Sequence, residues 1–225
     1  RVSGHDGSCV AISAAENHRQ RLRVVDRRVL ENLRFEIDDD TLIERLRLKK
    51  GSSSMGEVHR LAADARTIAR PKALYAQRFI EESDDDSVLV EGVRLTSRVL
   101  RVNLEHAHRV FPYVTTCGVE LAAWARSQED LLYRFWAEEI SEMVVLEARR
   151  AARKDLMERY QPGKVSSMAP GSLADWPLEE QQSLFALLGD TEGAIGVRLT
   201  DHMLMIPTKS VSGIWYPAEV SFESC

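Results

Sequence analysis

Between Asp130 and Tyr160, apolar or small residues recur at 132, 136, 140, 143, 144, 148, 151 and 152 along one face. That is the period of an amphipathic helix. With Ser127-Gln-Glu-Asp130 read as its cap, it is expected to be the long central helix of the fold, ended by Gln161-Pro-Gly163. Upstream the pattern from Val25 to about Leu48 is also helical, broken at EIDDD (36–40), with Thr41 to Glu44 as a capping box for a fresh helix ending near Lys49-Lys50. Ser54-Met-Gly-Glu57 opens a further helix that must stop before Pro71.

The period then changes. ALYAQRFI (73–80) and VLVEGVRL (88–95) are rich in strand formers and flank the acidic EESDDDS, as in a hairpin or two neighbouring strands. A short helix is expected around SRVLRVNLEHA (97–107), then a strand over RVFPYVTTCG (109–118) leading into another helix. After the long helix, KVSSMAPGSLAD (164–175) reads as an extended polar segment running to Pro177, which starts a helix ending at Gly189. Strands around GVRL (196–199), MLMI (203–206) and VSGIWYP (211–217) close the chain. Helices and strands mix without a regular βαβ alternation, so the fold class is α+β with an antiparallel sheet, packed helices and one long central helix.

Composition narrows the function classes. The 225 residues are 44% hydrophobic and 29% charged, enough for a real core. Residues 1–24 read as a flexible leader, some of which can come from cloning, and 25–225 as a single α+β domain whose part 25–70 is helical. The start lacks the layout of a signal peptide, and no apolar run is long enough to span a bilayer. A net charge of −5 argues against nucleic acid, and the basic run RRAARK (149–154) reads as a solvated helix face. Cys9, Cys117 and Cys225 are odd in number and form no CxxC, which suggests neither disulfides nor zinc and fits a cytoplasmic location.

No GxGxxG, Walker A, GxSxG or HExxH signature is present. His106 and His108 are too close to share a helix face, and Asp201-His202 has no nucleophile beside it. Cys117 is either a thiol activated by a helix N-terminus or a buried strand-end cysteine. Trp124 and Trp136 sit at helical positions and read as core. No catalytic or metal-ligating residue emerges. Two segments remain that suit neither core nor ordinary loop: SSMAPGSLAD, and TKSVSG with hydroxyls at Thr208, Ser210 and Ser212 beside Gly213. Backbone groups and small hydroxyls without a titratable catalyst suit a site whose chemistry is carried by a bound cofactor.

The run APGS…EEQQSLFALL…IGVRLTDHMLMIPTKSVSGIWY (169–216) resembles the C-terminal part of the activation, or reactivation, domain of cobalamin-dependent methionine synthase. IGVRLT (195–200), MIP (205–207) and SVSG (210–213) fall in the family's order, with no gap between Gly171 and Gly213. The stretch 68–121 is similar to free-standing relatives of that domain. The resemblance implies a domain that binds S-adenosylmethionine in a shallow groove and docks over a corrinoid held by another protein, so that reduced cobalamin is trapped by methyl transfer. Ser167, Ala169, Pro170, Gly171, Ser210, Ser212 and Tyr216 would then line the cofactor site. The sequence departs from the family motif where Ser167 stands in place of an arginine and SLADWPL (172–178) replaces YPACPDH, only Ala174 keeping its place. A serine gives up the bidentate fork that suits a carboxylate. Two roles follow from the resemblance: an S-adenosylmethionine-binding reactivation subunit, or a docking subunit for a corrinoid protein or methyltransferase that does not use that ligand. An unrelated small-molecule binder on the same scaffold is a third.

Overall fold

A computed structural model describes residues 26–49 and 51–218; the proposed leader, Cys9, Cys225 and Lys50 lie outside the described residues. Ten strands are described: β1 Arg27–Leu30, β2 Lys72–Ala76, β3 Arg78–Ser83, β4 Ser87–Val90, β5 Val93–Thr96, β6 Arg109–Thr116, β7 Val165–Met168, β8 Arg198–Leu199, β9 Met205–Ile206 and β10 Ser210–Pro217. The helices are α1 Asp39–Arg45, α2 Met55–Ile68, α3 Arg98–Asn103, α4 Val119–Arg126, α5 Leu131–Tyr160, α6 Gln181–Leu188 and α7 Thr191–Ile195. This is the expected α+β class with an antiparallel sheet and one long helix.

Strand β6 is the axis of the main sheet. One edge pairs with β10, which pairs in turn with β7; the other edge pairs with β2 near Thr116 and with β3 near Arg109. Strands β2 and β3 thus follow β6 in one register on either side of Gln77; β1 flanks β2, β4 flanks β3 and β5 flanks β4. The β4–β5 connection is the two-residue turn Glu91-Gly92 with φ of 45° and 81°, which matches strand twist. A separate β8–β9 pair lies outside this sheet.

One sheet face carries Tyr75, Phe111, Tyr113, Val165 and Trp215, packed under Ala152 and Leu156 of α5. The opposite face carries Leu74, Ala76 and Val114 under α6 and α7, and further along Val110, Met168, Ile214 and Tyr216 with the buried Trp176. A third cluster joins α1, α2, α4 and the first half of α5, with Trp136 buried and Trp124 packed against it.

Several local expectations change. Arg27–Leu30 is an edge strand rather than part of a helix, because β2 offers it an unpaired edge whose hydrogen bonds outweigh local propensity. Helix α1 is capped by Asp38, which accepts from Thr41 N, and ends at Arg45 before Arg47 turns left-handed. Asp130, not Ser127, caps α5 by accepting from Leu132 N and Tyr133 N; Ser127 instead ends α4. Of the predicted α5 face, Trp136, Ile140, Met143, Val144, Ala148 and Ala152 are buried, Ala151 is half-buried and Leu132 is exposed. The 164–175 segment is extended only through β7; it then folds back on itself.

Gly118 joins β6 to α4 at φ 96°, and a Cβ there would lie 2.5 Å from Arg70 O. Gly118→Ala should therefore cost roughly 3 kcal/mol in urea unfolding, from strain and overlap together. Gly92→Asn, at a left-handed turn position with open space around the added Cβ, should cost under about 1 kcal/mol in the same assay.

Candidate functional site

Strand β10 brings the two singled-out segments together. Its ladder with β7 runs Pro217↔Val165, Tyr216↔Ser166, Trp215↔Ser167 and Ile214↔Met168, so Ala169 leaves the sheet beside Gly213. There the chain turns: Ser172 N donates to Ala169 O at 3.2 Å, with Pro170 and Gly171 (φ 82°) between them. This is a type II turn, with proline and glycine at the two positions that favour them. Gly171 N donates to Trp176 O at 2.8 Å and Trp176 N to Leu173 O at 3.0 Å, so the loop's polar backbone is paired largely with itself. Trp176 buries its ring below, and Asp175 accepts from Ser97 Oγ at 2.7 Å and Val99 N at 2.8 Å, fastening the loop to the start of α3.

The predicted site residues divide between the two faces of the sheet. Ser210, Ser212 and Tyr216 share one face and are buried toward the α6–α7 side. Ser210 Oγ donates to Pro207 O at 2.8 Å, and burial pushes the Tyr216 phenol up. Ser167 is buried on the other face, beneath α5, Pro170 is buried, Ala169 is half-buried and Gly171 is exposed. What this place offers at the surface is therefore the backbone of 169–174 rather than the hydroxyls of β10.

Under α5 the side chains are layered. Tyr113 stacks on Trp215, ring centroids 3.7 Å apart and 12° from parallel. Its hydroxyl lies over Gly213, where a Cβ would come within 2.9 Å of Tyr113 Oη and 2.8 Å of Met168 O. The glycine of SVSG is thus required by close approach of a neighbour's ring, not by a turn. Arg149 of α5 donates Nε to Tyr113 Oη at 3.0 Å and a terminal nitrogen to Ser167 Oγ at 3.2 Å, its guanidinium 5.7 Å from the Tyr113 ring centre. One helical turn on, Arg153 donates to Val165 O at 3.1 Å. The sequence did give a signal for these residues, the run RRAARK, but its solvated-face reading holds only for the exposed Arg150 and Lys154.

The rest of TKSVSG anchors the strand. Lys209 reaches from it to Glu142 of α5 at 3.0 Å, and Arg45 of α1 reaches the same carboxylate at 3.1 Å. Lys209 O meanwhile accepts from Cys117 N. Cys117 is buried, and desolvation pushes its thiol up to about 12, so the helix start after it does not activate it. His106, His108, Asp201 and His202 are exposed, and no group of metal-ligating side chains occurs among the described residues. Nor is any described helix long and apolar enough to cross a membrane.

An antiparallel α+β sheet under one long helix, with the β7 turn beside the SVSG strand, defines the class to which the chain can be compared. Residues 140–222 match the family described as vitamin B12 dependent methionine synthase, activation domain. The solved structure of the MetH reactivation domain bound to AdoHcy shares the fold at a TM-score of 0.55 and 14% identity, over 85% of this chain and 78% of that one. No curated protein matches the chain. The family match begins in the first half of α5 and runs through β10, so it includes both segments of the site.

Gly213→Ala should cost about 1–3 kcal/mol and weaken the near-ultraviolet dichroism of Trp215, because the added methyl must displace the Tyr113 ring. The Glu142 carboxyl is held below its ordinary 4.5 by the hydrogen bond from Lys209, with Arg45 adding to it. Its folded pKa is below its unfolded one, so its contribution to stability is complete above 4.5 and is lost as the pH falls through the depressed value. Unfolding midpoints followed downward from 4.5 should fall more steeply in the unaltered chain than in Lys209→Met.

Proposed function

We propose that this chain is an accessory protein of a corrinoid-dependent methyltransferase system, acting in the cytoplasm. It binds S-adenosylmethionine where the 169–172 turn meets β10 and serves the reductive reactivation of cobalamin carried by a partner protein. The observation that carries the reading is the Met168↔Ile214 register, which sets the turn beside Gly213 within the stretch that matches the activation-domain family. That the MetH reactivation domain, which shares this fold, is bound to AdoHcy supports the ligand class. S-adenosylmethionine would supply the methyl group from its sulfonium. The residues here would hold it by backbone groups of 169–174, since the hydroxyls of Ser210, Ser212 and Tyr216 face the interior. Positioning is then the protein's whole contribution, in keeping with the lack of a catalytic acid, base or nucleophile in the sequence.

A second reading, a docking subunit that does not use this ligand, is favoured by a different observation. The first turns of α5 leave Leu131 78%, Leu132 51% and Phe135 52% exposed, an apolar patch suited to a protein partner. The motif departures at Ser167 and 172–178 support this reading as well.

Calorimetric titration with S-adenosylmethionine and with S-adenosylhomocysteine separates the two. Saturable binding in the micromolar range, at one site per chain, is the expected result. Absence of heat at millimolar ligand overturns the first reading; the second then requires that Phe135→Asp abolish association with a corrinoid-carrying methyltransferase.

A further inference from the structure

We infer that Asp175 is a positioning residue: by way of the first turn of α3 it fixes the backbone of 169–174 in the form that holds the ligand. The identity of that ligand rests on the S-adenosylmethionine reading above. The placement of the backbone rests on hydrogen bonds of the fold.

The loop after β7 is closed on itself. Ser172 N donates to Ala169 O, Gly171 N to Trp176 O and Trp176 N to Leu173 O. These bonds begin and end within the loop, so they set its shape but not its place. Two side chains set the place. Trp176 sinks its ring among Met168, Leu184 and Tyr216, an apolar contact that fixes depth without direction. Asp175 supplies the direction. One of its oxygens, Oδ2, accepts both from Ser97 Oγ at 2.7 Å and from Val99 N at 2.8 Å. Ser97 Oγ in turn accepts from Leu100 N at 3.0 Å. Two of the amides that a helix start leaves open are thus served by a residue of the loop, one directly and one through the serine. The hydrogen bond from Ser97, with that from Val99 N, holds the Asp175 carboxyl below its ordinary 3.8, so the acceptor is ionised at neutral pH. Further along, Glu180 Oε2 accepts from Thr96 N at 3.1 Å. The segment 175–180 is therefore hooked twice onto 96–99.

This gives the motif departure at SLADWPL (172–178) a physical meaning. Asp175 and Trp176 stand in the middle of it and are the two residues that fasten the loop. Ser97 and Val99, which donate to Asp175, lie outside the stretch 140–222 that matches the family. The turn is thus secured from a segment that the family match does not include. A ligand held by backbone groups gains from a backbone already in place, because little ordering is then left for binding to impose.

The test pairs calorimetric titration of the full chain with S-adenosylmethionine and amide hydrogen exchange at Gly171, read by NMR. Asp175→Ala should weaken binding about tenfold and speed the Gly171 exchange by a similar factor. Asp175→Asn should stay within about twofold of the unaltered chain in both, since a single amide oxygen can take both donors. Ser97→Ala, which removes one donor of the two, should weaken binding roughly threefold and keeps the test valid if Asp175→Ala fails to fold. Asp38→Ala removes a comparable cap from α1, away from the turn, and should leave binding unchanged. Binding by Asp175→Ala as tight as that of the unaltered chain, an equal loss in Asp175→Asn, or an equal loss in Asp38→Ala would each overturn the inference. If the unaltered chain takes up no ligand, the S-adenosylmethionine reading fails, and the exchange alone decides the placement: an unaltered Gly171 rate in Asp175→Ala overturns it.

Discussion

Strand β6 imposes the constraint from which the rest of the structure follows. Val110 to Thr116 are all buried, so every backbone amide and carbonyl along them must find a partner without help from water. One edge is satisfied by β10 from Ser210 to Trp215, and the other by β2 and β3 in succession. Since β2 and β3 are nearly continuous in sequence and keep one register against β6, a single stretch of chain serves the whole edge. Burial on both faces then demands two helical layers, α5 on one side and α6 with α7 on the other.

The candidate site is a product of the same constraint. Because β10 must lie along β6, the SVSG stretch is fixed in register with Tyr113 to Thr116, and β7 is drawn onto the outer edge of β10. Tyr113 can lie over Gly213 only because that position has no side chain, and from there its hydroxyl meets the guanidinium that α5 brings down beside Ser167. Residues 113, 149, 167, 213 and 215 are thereby one packing unit drawn from four elements. Lys209 closes the arrangement from the other end by joining the start of β10 to α5 and, through Glu142, to α1.

The match to the activation-domain family takes in all of this unit but Tyr113, and the fold of the reactivation domain is shared over most of the chain at low identity. A scaffold retained at 14% identity testifies to packing rather than to ligand chemistry. The functional reading therefore depends on what the surface around the 169–172 turn can hold.

By itself the sequence determined the class of the fold, the long helix, the α2 stop before Pro71, the β6 strand and the α6 end at Gly189. Each of these is written in local terms, as an apolar period, a proline or a glycine. It also located the stretch that resembles the activation domain. Only the tertiary structure decided that the hydroxyls of Ser210 and Ser212 are buried, that Arg27–Leu30 is a strand and that APGS is a turn. It alone put Arg149 beside Ser167, 18 positions away. A strand edge left open by another element, a ring passing over a glycine and an arginine reaching from a helix to a distant strand are relations between distant segments. No window of sequence contains both partners, and so none of them could be read before the chain was folded.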